Sequence, residues 1–203
     1  MFKDGNLPSA ETKLELLKLT IEKLTVAGFV YIGMDHFARA DDELAVAQRE
    51  KTLQRNFQGY STHGGADIYS FGMSSISQAD GIYWQNLKDL PSYYAALDRG
   101  ELPMAKGYVM TEDDKIRRWT IMRLMCDLGL DYTSIARQLH LDFKTYFAAE
   151  LASLDDLEAD GLVVRNGDGL VVTDVGRLLI RNIAMRFDAY VTTRKENRFS
   201  RTI

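Results

Sequence analysis

The stretch FVYIGMDHFA, from Phe29 to Ala38, decides how the first part of this chain is interpreted. Its apolar residues run from Phe29 to Met34 with only Gly33 between them, which is typical of a strand buried on both faces of a parallel sheet. The run is too short to cross a membrane. It ends in Asp35 and His36, and the carboxyl ends of parallel strands are where α/β folds bind their ligands. Two interpretations stay open: a functional site begins here, or Asp35 and His36 start a loop and cap each other.

Helical patterns on both sides of this strand predict a parallel arrangement. Ser9 caps a first helix that Gly28 ends, and Asp41 and Asp42 are placed to cap a second helix that runs to about Gln54. A second apolar run, Ile68 to Ile76, follows a Gly-rich loop and predicts another strand. Strand, helix and strand make a βαβ unit, but two strands cannot form a sheet that is buried on both faces. The sequence therefore predicts part of an α/β sheet or barrel that lacks its other strands. The apolar stripe of the first helix is Leu14, Leu17, Ile21 and Leu24.

The chain beyond residue 79 has a mainly helical pattern. The segment from Trp84 to Asp98 predicts one or two short helices, with Pro91 in a first turn. Thr111 with Asp114 predicts a capping box that opens a longer helix. This part of the chain therefore reads as a second domain.

The last 70 or so residues are typical of a winged-helix domain. Helices at 132–139 and 143–159 precede a hairpin that turns at Asn166 to Gly169, and a last helix starts at Thr173. DNA binding is disfavoured, because the helix in the recognition position carries Lys144 against a series of acidic residues, whereas a phosphate backbone attracts Lys and Arg. We expect this domain to pack against, or form a lid over, the first part of the chain. The acidic residues are Glu150, Asp155, Asp156, Glu158 and Asp160.

Composition and charge exclude several classes of protein. The 203 residues are 46% hydrophobic and 27% charged, which is typical of a globular protein that dissolves in water. The net charge of -4 and the pI of about 5.4 argue against a nucleic-acid partner. The sequence contains neither an apolar segment long enough to span a membrane nor a signal peptide. We therefore expect no membrane partner and a cytoplasmic location.

Cysteine and histidine usage bears on redox and metal chemistry. Cys126 is the single cysteine, so the chain alone can form neither an intrachain disulfide nor a site that needs several thiolates. Its place on an apolar helix predicts a packed small side chain rather than a reactive thiol. His36, His63 and His140 share no spacing typical of metal ligands, so no metal site is expected.

A series of motifs in collinear order resembles oxygen-independent coproporphyrinogen III oxidases, which are radical S-adenosylmethionine enzymes of haem synthesis. The resemblance covers essentially the whole chain. It implies that residues 1–78 are the last βα units of an incomplete radical SAM, TIM-like barrel and that residues 79–203 form a helical, winged-helix-like carboxyl-terminal domain. The motifs are GMDHFA from Gly33, DDELAVAQRE from Asp41, RNFQGYST from Arg55, SSIS from Ser74, TEDDKIRR from Thr111, DGLV from Asp160, GRLLIRNI from Gly176 and FSR from Phe199.

The resemblance also implies an activity and its cofactors. The full-length enzyme would convert coproporphyrinogen III to protoporphyrinogen IX by oxidative decarboxylation, with S-adenosylmethionine and a 4Fe-4S cluster as cofactors. Family members are considerably longer, and their amino-terminal half carries the CxxxCxxC motif that holds the cluster. This chain lacks that motif, so we expect no catalytic residue in it and no activity without the missing barrel half. The resemblance further implies that the full-length enzyme is a monomer.

Two other functions remain possible at this point. Some relatives of these oxidases bind haem and deliver it, so the chain could be part of a haem-binding chaperone. It could also be a stand-alone, non-catalytic binding module whose exposed strand edges are covered by a partner.

The resemblance implies site residues as well. Ser75 and Ile76 match the strand end at the S-adenosylmethionine site, where an apolar side chain covers the adenine, although Ile76 could equally be a core residue. The carboxylates of coproporphyrinogen III suit the planar fork of arginine. Candidate substrate contacts are therefore the arginines in family-like motifs, with the last two predicted on one helix face; ion pairs within the chain are the alternative. They are Arg117, Arg118, Arg177 and Arg181.

Overall fold

The computed structural model describes residues 7–191. The motif at 199–201 lies outside this part of the chain. The helices are α1 (Ala10–Val26), α2 (Glu43–Arg49), α3 (Leu90–Asp98), α4 (Glu112–Asp127), α5 (Tyr132–Leu139), α6 (Phe143–Tyr146), α7 (Ala148–Ala152), α8 (Asp155–Ala159), α9 (Asp174–Leu178) and α10 (Ile180–Ala184), followed by a 3-10 turn at Met185–Phe187. The strands are β1 (Phe29–Gly33), β2 (His36–Arg39), β3 (Gln54–Asn56), β4 (Gly59–Ser61), β5 (Ile76–Ala79), β6 (Ile82–Asn86), β7 (Met104–Val109), β8 (Gly129–Asp131), β9 (Val163–Arg165) and β10 (Gly169–Val172).

The chain forms two compact units. The first joins Met1–Thr62 to Trp119–Ile203, and the second is His63–Arg118. The predicted boundary between residues 78 and 79 is a different division, and it stays a prediction about the full-length enzyme.

The first unit contains two antiparallel hairpins where a parallel βαβ unit was expected. β1 pairs antiparallel with β2, with Val30 opposite Ala38, so the predicted βαβ unit does not form among the described residues, and parallel neighbours of this strand in a barrel stay a prediction. The physical reason is local: the chain reverses directly after Gly33, where Met34 takes a φ of 56° in the left-handed region. An apolar run is typical of a buried strand in either arrangement, so it does not reveal the reversal. The second hairpin pairs β3 with β4.

The core of this part of the unit is built from small and medium apolar side chains. Ile32 of β1 and Leu53, just before β3, are fully buried, and they pack in one cluster with Tyr60 of β4 and Cys126 of α4. Cys126 is therefore a packed side chain, as the sequence predicts.

The remainder of the first unit combines helices with a three-stranded antiparallel sheet in the order β8, β10, β9. The predicted turn at Asn166 to Gly169 connects β9 to β10, and α5 has its predicted bounds with Asp131 as its N-cap. The predicted long helix over 143–159 is wrong, because the chain forms the three short helices α6, α7 and α8 there. Buried aromatic rings, Phe143 and Phe147 among them, pack where these helices meet.

The second unit is a three-stranded antiparallel sheet in the order β5, β6, β7, with α3 between β6 and β7. The predicted strand over 68–76 is wrong: Ile68 makes only an isolated antiparallel bridge with Gln78, and the regular strand β5 starts at Ile76. Trp84, predicted in a helix, lies in β6, and the helix begins only at Leu90 with Pro91 in its first turn. A mainly helical pattern was therefore wrong for residues 79–110.

Helix α1 follows its sequence prediction closely. Ser9 caps it by accepting a hydrogen bond from the Thr12 amide at 3.2 Å. No residue of α1 is buried, and the predicted apolar stripe is its only partly covered face. Within residues 7–191 no helix combines the length and the apolar content that crossing a bilayer requires.

Candidate functional site

The predicted cofactor residues Ser75 and Ile76 lie at the start of β5 in the second unit. The Ser75 hydroxyl donates to the Gly72 carbonyl oxygen at 2.8 Å and accepts from the Asn86 side-chain amide at 3.0 Å. Asn86 is buried, and the same amide also donates to Gly72. Ile76 is partly exposed and its carbonyl oxygen accepts from the Ser70 hydroxyl. Asn86 therefore links Ser75 to Gly72 just before β5, and the Ile76 side chain that begins the strand is partly exposed.

Arg117 and Arg118 lie next to each other in α4 but have different partners. Arg117 donates from Nε to the Asp113 carboxylate at 2.7 Å, and its side chain is only 16% exposed. Arg118 lies over the ring of Tyr83, with its guanidinium carbon 5.6 Å from the ring centroid. Burial raises the pKa of Tyr83 above its ordinary value, and the nearby Arg118 charge only partly offsets this rise. Arg117 therefore makes the ion pair within the chain that was the alternative to substrate binding.

Arg177 lies against β1 in the first unit. Its Nη2 donates to the Tyr31 carbonyl oxygen at 2.6 Å, and its guanidinium carbon lies 4.9 Å from the centroid of the Tyr31 ring. Its buried Nε has no acceptor. Arg177 and Arg181 do not share one continuous helix: Leu179 leaves helical geometry with φ -115° and ψ 23°, so α9 ends before it and α10 begins after it. Within residues 7–191 Arg181 makes no ion pair.

Arg55 of β3 is a further partly buried arginine that sequence reasoning did not single out. Its guanidinium carbon lies 5.0 Å from the centroid of the Tyr60 ring, and its Nη2 contacts the Met34 sulfur at 3.2 Å. Its buried Nη1 has no partner. Burial raises the pKa of Tyr60 to about 12, and the charges of both Arg55 and Arg177 act against that rise. The two arginines therefore both lie near Tyr60, in a region here called the Tyr60 neighbourhood.

Two glycines, Gly33 and Gly59, allow close contacts within the Tyr60 neighbourhood. A Cβ at Gly33 would overlap the hydroxyl of Tyr60, and a Cβ at Gly59 would come within 3.0 Å of the His36 ring. The lack of a side chain at both positions therefore lets the Tyr60 and His36 rings lie close to the backbone of the facing hairpin.

Asp35 and His36 form a local pair in the turn between β1 and β2. The Asp35 carboxylate and His36 Nδ1 are 2.7 Å apart. The His36 ring packs edge-on against Tyr60, at 5.2 Å between centroids. The structure therefore contains the expected contact between the two side chains, and a functional site at this point stays a prediction.

A cleft of about 850 Å³ lies elsewhere in the first unit and includes none of the predicted site residues. Charged side chains of the cleft bind one another and the backbone: Arg123 donates to the carbonyl oxygens of Lys51 and Leu53 and forms an ion pair with Asp127 at 3.3 Å. Burial raises the pKa of Asp127 above its ordinary value, and the charge of Arg123 only partly offsets this rise. Nothing in these contacts indicates which ligand the cleft would take.

Comparison with known proteins gives a consistent result. Residues 110–179 match the family model described as the HemN C-terminal domain. The oxygen-independent coproporphyrinogen III oxidase of Synechocystis is 51% identical over 98% of this chain, and the enzyme of that name from Escherichia coli is 49% identical over 99% of it. The solved structure of coproporphyrinogen III oxidase (HemN) from Escherichia coli, titled a radical SAM enzyme, matches 94% of this chain with a TM-score of 0.88 and 50% identity.

The chain matches the carboxyl-terminal part of oxygen-independent coproporphyrinogen III oxidases along nearly its whole length. It corresponds to the carboxyl-terminal part of these proteins and spans 44% of the length of the Synechocystis and Escherichia coli relatives. The family resemblance that the motifs predict is thereby confirmed.

Two cofactors of the family fit this chain differently. A 4Fe-4S cluster needs several thiolates, whereas this chain offers only Cys126, whose side chain is buried and whose pKa burial raises to about 12. Its residues therefore do not fit the cluster. Within residues 7–191 no three His, Cys, Asp or Glu side chains come together as metal ligands would. Ile76, partly exposed on a strand end that Asn86 holds, does fit the apolar contact expected for adenine.

Sequence reasoning missed Arg55, Tyr31 and Tyr60 as members of a site. Arg55 and Tyr60 both lie in the RNFQGYST motif of the family, which was a signal of their importance. Pairing each arginine with its tyrosine required knowledge of the two hairpins, because Arg177 is 146 residues away from Tyr31 in sequence.

Proposed function

We propose that this chain is the carboxyl-terminal part of an enzyme that converts coproporphyrinogen III to protoporphyrinogen IX without oxygen. The observation that carries the proposal is identity near 50% along 98% and 99% of the chain to relatives that bear the name of this oxidase. Those names do not favour the haem-delivering or free-standing alternatives. The amino-terminal part would supply the cluster and the chemistry that cleaves S-adenosylmethionine.

In this proposal the residues of the chain bind and orient. Ile76 would cover the adenine of S-adenosylmethionine, and Ser75, held by Asn86, would allow its close approach. Arg177 and Arg181 are the better candidates for substrate carboxylates, because neither has a carboxylate partner within residues 7–191. Arg117 already binds Asp113 and is the weaker candidate, whereas Arg118, which lies over the Tyr83 ring, stays a candidate.

The finer architecture belongs to the same proposal. We propose that the segment up to residue 78 completes a radical SAM barrel and that the region with the β8, β10, β9 sheet is a winged helix used for packing. The partner would be the amino-terminal barrel half, which is supported by α1, a 17-residue helix without a buried residue. The acidic character of α7 and α8 argues against nucleic acid. We further propose a monomeric enzyme in the cytoplasm.

A chimeric enzyme tests the proposal. The segment of the Escherichia coli relative that aligns with this chain is replaced by this chain, and conversion of coproporphyrinogen III is measured anaerobically with S-adenosylmethionine and a reductant. We expect protoporphyrinogen IX from the chimera. The relative without this segment, and this chain by itself, should give none. A folded chimera that binds S-adenosylmethionine but makes no product would refute the proposal.

A further inference from the structure

We propose that Arg55 and Arg177 form a carboxylate-binding site, here called the arginine pair, and that the carboxylate is a propionate of the tetrapyrrole substrate. This inference rests on the proposed function and deepens it, since it names the side chains that would hold the substrate. Arg55 lies in β3 and Arg177 in α9, so the site combines two distant parts of the first unit.

The first observation is the set of unused donors on Arg177. A guanidinium group has five N–H donors. The one acceptor that Arg177 contacts within residues 7–191 is the carbonyl oxygen of Tyr31. Its Nε is buried without any acceptor. A carbonyl dipole does not neutralise a full positive charge, so Arg177 retains both charge and donors for a ligand.

The second observation is that Arg55 has no oxygen acceptor at all in the described part of the chain. Its one polar contact is the Met34 sulfur, which is a weak acceptor. Its Nη1 is buried and unpaired. Hydrogen bonds to charged groups stabilise more than neutral ones, and a buried donor without a partner is costly. Arg55 therefore lacks the group that would offset its burial.

The third observation concerns the aromatic rings. Arg55 lies over Tyr60 and Arg177 over Tyr31, at 5.0 and 4.9 Å from the ring centroids. A ring face attracts a cation, but it takes no N–H into a strong hydrogen bond. These contacts hold each side chain in place while leaving its donors available, which is how a preorganised binding group is built.

Charge selects the class of ligand. Two positive charges act on the same phenol, Tyr60, and the nearby carboxylate Asp35 is 85% exposed and bound to His36 instead. A neutral ligand would leave both charges uncompensated, whereas a carboxylate matches the planar fork of a guanidinium with two parallel hydrogen bonds. Coproporphyrinogen III offers four such groups. A carboxylate side chain from the amino-terminal part of the enzyme is the other source of the same chemistry.

Variants in the chimeric enzyme test the arginine pair. Arg55→Gln and Arg177→Gln each remove one charge, Arg177→Lys keeps the charge but not the fork, and Arg99→Gln is the control. Arg99 is exposed and pairs only with its neighbour Glu101 at 2.7 Å. Three quantities are measured: KM and kcat for coproporphyrinogen III, the Kd for coproporphyrin III from its fluorescence, and the midpoint of thermal unfolding.

We expect each Gln variant to raise KM and Kd by about 10- to 100-fold, the range for losing a hydrogen bond to a charged group, with kcat changed much less. Arg177→Lys should recover part of the loss, and Arg99→Gln should behave as the parent. Unchanged KM and Kd in both Gln variants would overturn the substrate as the source of the carboxylate, whatever the unfolding midpoint. Variants that match Arg99→Gln in all three quantities would overturn the site altogether.

The outcome separates this inference from the proposed function. Loss of product formation by the parent chimera would refute the proposed function. The Kd for coproporphyrin III and the unfolding midpoint need no turnover, so they still decide whether the arginine pair binds a carboxylate.

Discussion

Gly176, which directly precedes Arg177 in α9, offers a sharp test of how closely this helix packs against its neighbours. A Cβ at this buried glycine would overlap the carbonyl oxygen of Leu162 and would come within 3.0 Å of a Val172 methyl group. We therefore predict that Gly176→Ala destabilises the fold, although alanine is normally the better helix residue.

The expected change in unfolding free energy combines two destabilising effects and one stabilising effect. The Leu162 carbonyl oxygen accepts from the amide of Thr173 at 3.0 Å and from its hydroxyl at 3.2 Å, so moving it away weakens two hydrogen bonds of about 1 kcal/mol each. Forcing an extra methyl group into a filled core costs a further 1–3 kcal/mol or so. Alanine in a helix returns about 1 kcal/mol. The net loss of unfolding free energy should be about 2–4 kcal/mol.

Equilibrium unfolding of the purified chain in urea measures this loss directly. Gly167→Ala is the matched control, because Gly167 lies in the turn after β9 with nothing within 4 Å of a Cβ. The control should change the unfolding free energy by less than about 0.5 kcal/mol. A Gly176→Ala variant as stable as the parent would refute the steric reasoning, and a more stable one would show that helix propensity decides.

Two further predictions concern an ion-pair network and the thiol. Arg165 donates to the carboxylates of Glu158 and Asp155 at 2.6 and 2.7 Å and holds the pKa of Glu158 below its usual range. Such a carboxylate stabilises the fold fully above its unfolded pKa of about 4.3 and loses this effect as pH falls through the lower folded value. Arg165→Met should therefore flatten the fall of the unfolding midpoint at acid pH, and an unchanged profile would contradict this. Burial raises the pKa of Cys126 to about 12, so a thiol reagent at pH 8 should modify it only in urea, and rapid labelling of the folded chain would count against its burial.

Local signals predicted the parts of the fold that depend on local chemistry. The Ser9 cap, the Thr111 and Asp114 capping box, and helix α5 after Asp131 all form as their side chains indicate. In each case one polar side chain accepts from a backbone amide a few residues later, an interaction that the sequence alone specifies. The turn at Asn166 belongs to the same group.

Strand direction could not be predicted in the same way. The run at Phe29 to Met34 is equally apolar in a parallel strand and in a hairpin, and the reversal depends on the backbone at Met34. The long pattern at 143–159 likewise hides two breaks. Phe147 and Leu154, which separate the three short helices, are fully buried apolar residues, and the sequence pattern does not reveal their backbone angles. Tertiary packing decides such cases, and periodicity does not record it.

The candidate site shows the same limit at the level of function. The family-like motifs pointed to four arginines, but these have different partners in the structure: Arg117 pairs with Asp113, whereas the one acceptor of Arg177 in the described part of the chain is a carbonyl oxygen. Arg55 joins Arg177 because Gly33 lets the Tyr60 hydroxyl lie against β1. The glycines of the family motifs therefore act on the site through packing, and an arginine becomes a binding residue when the fold leaves its charge without a partner.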